Sequence, residues 1–175
     1  MRCFSRIVLA ATLALAAGVG AQTPSDARVK AKLAFNMARF TEWPAGAFSS
    51  ATEPLSMCLL HRSEALAAAF GELQGQMLAG HPIRLQLNPT KDLGSCHLLF
   101  VQDVAERASA GLLAKLGTPP VLTIGDGDGF ATRGGMIELV NVNDTMRFDV
   151  NLSTLRTAQL LLSSQVLKLA RQVRE

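Results

Sequence analysis

Gly134-Gly135-Met136-Ile137-Glu138-Leu139-Val140, Met146-Arg147-Phe148-Asp149-Val150-Asn151-Leu152 and Leu160-Leu161-Leu162-Ser163-Ser164-Gln165-Val166-Leu167-Lys168-Leu169-Ala170 together decide the fold. Val140 and Val142 extend one apolar strand, and Asn143-Asp144 supplies residues that tolerate turn geometry. Met146, Phe148 and Val150 then alternate with Arg147, Asp149 and Asn151 on a returning strand with one buried face. Ser153 is placed to cap a helix whose apolar positions Leu155, Leu162, Val166, Leu169 and Val173 recur at three-, four- and seven-residue spacings. The pattern predicts a β-hairpin feeding one long helix that lies on a sheet.

Upstream, helical and extended patterns alternate. A helix over Ala27–Phe40 places Val29, Leu33, Met37 and Phe40 on one side, and Phe40 with Trp43 reads as a buried staple closing it, a partner surface being the alternative. Leu55–Leu60 is a short apolar run, Ser63–Leu73 a second helix, and Ile83–Leu87 a half-exposed strand at an edge. Cys96–Val101 reads as a fully buried strand, followed by a helix from about Val104 to Leu116 and a strand over Val121–Ile124. The resulting β-α-β-β-α-β-β-β-α order implies an α/β three-layer sandwich: a mainly parallel sheet, an antiparallel C-terminal hairpin, and helices on both faces.

The order and spacing of several segments add a family to this reading. The C-terminal block, Phe40-Thr41-Glu42-Trp43-Pro44, the strand holding Cys58, Cys96-His97-Leu98-Leu99-Phe100, and Leu122-Thr123-Ile124-Gly125-Asp126 with Gly129-Phe130-Ala131 form one ordered set. In that set the chain resembles the YfiR/HmsC-like family of small periplasmic regulators, and no catalytic signature comes with the resemblance. Members of that family repress an inner-membrane diguanylate cyclase by binding its periplasmic sensor region. An OmpA-like outer-membrane lipoprotein can sequester the repressor, and some members form homodimers. The resemblance therefore implies a regulator that lowers cyclic-di-GMP and biofilm formation, without a cofactor. Some relatives carry a second cysteine pair near the C-terminal hairpin, and no cysteine follows Cys96 here.

The amino end carries an export signal. Arg2 and Arg6 precede an apolar run from Ile7 to Val19, and Val19-Gly20-Ala21 offers small residues before a cut at Gln22. The run is shorter than the roughly 20 apolar residues that a spanning helix needs. Residues 1–21 are read as a signal peptide and 22–175 as one periplasmic domain, large enough for a core of its own. Without the leader's two arginines the domain has 15 basic and 14 acidic residues, so the basic balance of the whole chain partly belongs to the leader. Lys168, Arg171 and Arg174 are an ordinary basic helix end, and nothing suggests a nucleic-acid face.

Two cysteines remain, Cys58 and Cys96, on strands that are neighbours in many doubly wound sheets. They either pair as a disulfide in an oxidising compartment or stay as two buried thiols. No Cys-x-x-Cys motif supports redox catalysis. Cys58 with His61, Cys96 with His97, and His81 before Pro82 invite a zinc reading. Adjacent strand residues point to opposite faces, so Cys96 and His97 do not serve one ion, and the histidines read as surface or strand-end groups.

Gly125-Asp126-Gly127-Asp128-Gly129 is not a calcium loop, because Phe130 and Ile137 fall where oxygen ligands are required. It lacks the Gly-Lys-Ser/Thr ending of a phosphate loop and leads to a strand. A flexible turn at the carboxyl end of a core strand is the expected structure, and such ends are where open α/β sheets bind ligands. Asp126, Asp128 and Phe130 are thus the candidate residues of a ligand or partner edge. Ser163-Ser164 sits in a helical pattern with no nucleophile elbow and no histidine after His97, which excludes a recognisable serine hydrolase and leaves close helix packing as the serines' role. The alternative to regulation is a periplasmic small-ligand-binding module, or an accessory of a transport or receptor system, using the strand end near Asp126.

Overall fold

The computed structural model describes residues 24–102 and 106–175. The expected signal peptide and the residues Val104 and Ala105 of the expected third helix lie outside the described residues. Helix α1 (Pro24–Arg39) leads to the short strand β1 (Thr41–Glu42), then to β2 (Leu55–Leu60) and α2 (Glu64–Gly71). Strands β3 (Met77–Leu78), β4 (His81–Leu87) and β5 (Leu98–Val101) precede α3 (Glu106–Leu116) and β6 (Leu122–Gly125). The chain finishes with β7 (Ile137–Val142), β8 (Thr145–Asn151), α4 (Leu152–Thr157), β9 (Leu161–Leu162), α5 (Ser164–Leu167) and β10 (Gln172–Arg174).

Eight strands form one sheet in the order β10-β8-β7-β6-β5-β2-β4-β3, and β1 and β9 form a separate antiparallel pair. From β4 across to β7 neighbours run parallel, while β8 turns back on β7. This is the expected mixed α/β sandwich. Alternation along the central strands builds its two cores. Met57, Leu59, Leu98, Phe100, Leu122 and Ile124 face α1 and α2, with Phe70 of α2 tilted onto Phe100 at 5.0 Å. Cys58, Leu99, Val101 and Val121 face the other way, towards Leu113 of α3 and Phe130.

The hairpin forms as its sequence predicts. Asn143 and Asp144 take φ values of 49° and 60°, the left-handed pair of a two-residue turn that matches strand twist, and Val142 pairs with Thr145. The long helix after it does not form. Asn151, rather than Ser153, caps α4, its Oδ1 accepting the Thr154 N–H at 3.0 Å. Gln159 then enters the left-handed region at φ 58°, and the Leu160 N–H closes the helix onto the Leu155 carbonyl. Leu161 and Leu162 pair with Glu42 and Thr41, and the chain ends as an edge strand parallel to β8. Helical spacing misled because Leu155, Leu162 and Val166 are all buried from different elements, while Leu169 is 70% exposed.

Two more expectations change. The buried stripe of α1 is Ala27, Ala31, Ala34, Met37 and Ala38, whereas Val29 and Phe40 are exposed. Four of these five side chains are alanines, which suit close packing, and the element α1 lies closest to is α2. Ser163 caps the four-residue α5 instead of easing helix packing, and its N–H donates to the Phe40 carbonyl. The strand β4 is second from its edge, bordered over His81–Pro82 by β3.

Candidate functional site

The carboxyl end of β6 runs directly into the acidic glycine-rich segment. Asp126 does not point into open solvent. Its carboxylate takes a 2.7 Å hydrogen bond from the Lys30 ammonium of α1, in a pair whose side chains are 3% and 8% exposed. Asp26, one turn before Lys30, adds a second carboxylate at 3.4 Å. Asp128 is exposed at the tip, and Phe130 is buried at 1% exposure in the smaller core. The three candidate residues thus lie on one loop with three different surroundings: an internal ion pair, water and a core.

The loop is held in shape from below. Glu138, a charged residue in the apolar run of β7, accepts the Gly129 N–H at 2.8 Å and the Ala131 N–H at 3.0 Å with its two carboxylate oxygens. Asn151 donates from Nδ2 to the Ala131 carbonyl at 2.9 Å while its other end caps α4. Glycine at 125 has a steric reason: a Cβ there would stand 2.6 Å from the Phe130 ring. The expected flexible turn is a loop fixed by side-chain bonds and a seated phenylalanine.

Sheet order gives a second strand-end feature. The connections leave β2 for β4 on one side and return to β5 on the other, so the topological switch point lies between β2 and β5. Gln102, at the end of β5, reaches across it and accepts the Arg62 and Ser63 N–H groups at 2.8 and 3.1 Å. Asn88 accepts the His61 N–H at 2.9 Å. Beside these groups is an open cleft of about 300 Å³ lined by Leu60, His61, Arg62, Asn88, Gln102 and residues of α3.

The opposite, amino end of the sheet holds an aromatic cluster. The Phe48 ring lies between His81 and His97, with centroids 3.9 and 4.1 Å away and planes within 10°. Trp43 meets Phe48 edge-on and donates its indole N–H to the His97 carbonyl. His97 is 5% exposed and hence not the surface histidine its sequence context suggests. Its Nδ1 accepts the Ser56 N–H, and its Nε2 bonds the Ala47 carbonyl, both at 3.0 Å. Burial pushes the His97 pKa below its ordinary value, with the Glu53 carboxylate opposing and His81 adding to the effect. Trp43 therefore closes onto this cluster rather than onto Phe40.

Cys58 and Cys96 form a disulfide between β2 and the approach to β5, with Cα atoms 5.9 Å apart. The pairing brings the strands' sulfur atoms into the core beneath α3 and leaves no thiol for metal or redox chemistry there. Among the described residues, no group of three or more His, Cys, Asp or Glu side chains is placed to hold a metal ion. No helix among them is long and apolar enough to cross a membrane. What the arrangement offers is a rigid, polar-tipped surface.

Sequence reasoning found the loop but missed Lys30, Glu138 and Asn151, which fix it. Two of these left a trace: Lys30 sits among the alanines of α1, and Glu138 interrupts Ile137 and Leu139. A charge inside an apolar pattern signals a buried partner. The stacking of Phe48 between histidines drawn from two strands left no such trace.

Against models of protein families, the chain matches the one described as YfiR/HmsC-like over residues 27–171, from the first turns of α1 to the residue before β10. No curated protein matches the chain.

Proposed function

The chain belongs to the YfiR/HmsC-like family, and from that premise we propose that it is a periplasmic, non-enzymatic regulator that represses an inner-membrane diguanylate cyclase through contact with the cyclase's periplasmic region. One observation carries the reading: the family match spans nearly the whole described fold, both cores and the fixed loop after β6 included. Supporting it are the amino-terminal leader pattern, which suits export, and a disulfide of the kind that persists in oxidising compartments. Repression by contact is a population shift: binding to the inactive arrangement of the cyclase lowers its active fraction by the ratio of the two affinities. Sequestration by an OmpA-like lipoprotein would reverse it. Asp128 and the loop around it are the proposed contact edge, displayed by Lys30, Glu138 and Asn151.

The test is a clean deletion in a strain that keeps its cyclase. Cytoplasmic cyclic-di-GMP should rise severalfold and return to its former level on complementation, and crosslinking from membranes should recover a protein with a cytoplasmic diguanylate cyclase domain. Unchanged cyclic-di-GMP together with no such partner overturns the reading. A second reading, binding of a small periplasmic ligand, is favoured by the cleft at the β2/β5 switch point. It expects a metabolite that raises the melting temperature and whose effect is lost in Asn88→Ala.

A further inference from the structure

Glu138 and Asp149 stand directly opposite one another on β7 and β8, so their side chains leave the sheet on the same face. Ile137, Leu139, Phe148 and Val150 beside them belong to the larger core, which puts the two carboxylates on the other face, under the loop after β6. Both are buried, and like charges so placed repel unless each has a partner. Glu138 takes the Gly129 and Ala131 N–H groups, and Asp149 takes Nε and Nη2 of Arg171 at 2.8 and 2.5 Å. Arg147, on the same face two residues before Asp149, is exposed to solvent. The Arg171 guanidinium is held above its ordinary pKa, first by the hydrogen bond to Asp149 and further by the charges of Asp149 and Glu138, with desolvation opposing. Arg171 leads into β10, whose three residues are all exposed and whose parallel ladder to β8 is joined by the bond from the Arg171 N–H to the Phe148 carbonyl.

From this geometry we infer that β10 is a strap, fastened by Arg171 to Asp149, and that its fastening keeps the loop after β6 in its fixed shape. Arg171 is a positioning residue: it bonds to Asp149 and Phe148 of β8, and it reaches the loop through the facing carboxylates. With the guanidinium in place, Glu138 stays ionised beside Asp149 and keeps both loop N–H groups. Without it, two carboxylates face each other with no cation between them, and near neutral pH they part rather than take up a proton. Glu138 is the one that moves, being the longer side chain and the one whose partners are neutral backbone amides of a surface loop. Asn151, two residues beyond Asp149 on the same face, then holds the Ala131 carbonyl alone. The link runs both ways: whatever seats on the fixed loop tightens the strap, and whatever prises β10 from β8 frees the segment that displays Asp128. This coupling stands apart from what the loop contacts.

Amide hydrogen exchange of the exported, disulfide-bonded protein tests this, read residue by residue by NMR at about pH 7.5, where ordinary carboxylates are ionised. Arg171→Met should speed exchange at Gly129 and Ala131 by roughly tenfold, with Phe100 in the centre of the sheet unchanged. Arg171→Lys, which keeps the charge and loses the fork, should fall between. Adding Asp149→Asn to Arg171→Met removes the facing charge and should return both amides to the wild-type rate. A merely frayed strand would not be rescued in this way, because the bond from residue 171 to residue 149 stays broken. Unchanged rates at the two amides in Arg171→Met, a speeding shared equally by Phe100, or a double variant as fast as the single one overturns the inference.

Discussion

His97 shows how one side chain ties a loop to the sheet and makes that tie depend on acidity. Because the Ala47 carbonyl only accepts, the ring proton is on Nε2, and Nδ1 is free to accept the Ser56 N–H. A second proton on Nδ1 would set two donors against each other. The folded pKa lies below the ordinary value of 6.5, so this contribution is fully present above that value and is lost as pH falls through the lowered one. Glu53 is also held down, by hydrogen bonds from Ser49, and its contribution is lost only in more acidic solution. The midpoint of urea unfolding should therefore be flat near neutrality and fall below about pH 6.5, and His97→Gln should remove that slope while leaving the acid limb. At the other end of the sheet, Lys30→Met removes the cation from its buried ion pair with Asp126. We expect a loss of about 3 kcal/mol in urea unfolding, part of it restored when Asp126→Asn is added.

At the scale of elements, legibility followed the range of the forces. Leu55–Leu60, the start of the second helix at Ser63 and the Asn143-Asp144 turn are set by neighbours in sequence, and each is where the sequence predicts it, with Ser63 serving as the cap of α2. The segment after Asn151 is set by distant partners. Leu161 and Leu162 bond to β1, and Val173 lies along Val150, so tertiary pairing overrode a respectable helical spacing. The buried face of α1 differs from the expected one for a related reason, since alanines carry little weight in a hydrophobic pattern yet make up most of the stripe that is buried. The break between α4 and β9 gives an element-level prediction. Gln159 holds a left-handed conformation that glycine adopts without steric cost, so Gln159→Gly should raise unfolding stability by about 1 kcal/mol, whereas Gln159→Val should lower it by at least as much. Thermal melts distinguish the two.

Across the whole molecule, the parallel centre of the sheet joins residues far apart in sequence, and the Cys58–Cys96 bridge spans the switch point between its two halves. The fold class and the candidate loop were legible because apolar strands and glycine-rich strand ends announce themselves; the residues that fix the loop were not, because Lys30, Glu138 and Asn151 are brought to it only by folding. Closing a 38-residue separation stabilises the native state by about 4 kcal/mol through the unfolded chain. Cys58→Ala with Cys96→Ala should lose roughly that amount, and a reducing agent should lower the wild-type melting temperature but not that of the double variant. The same bridge alters how the protein responds to being pulled. If its ends were tethered to bodies that move apart, the chain between the two sulfurs could not pay out. Stretched, it would come up short by roughly 130 Å against its reduced form, a difference that optical tweezers would read directly as a missing length of slack.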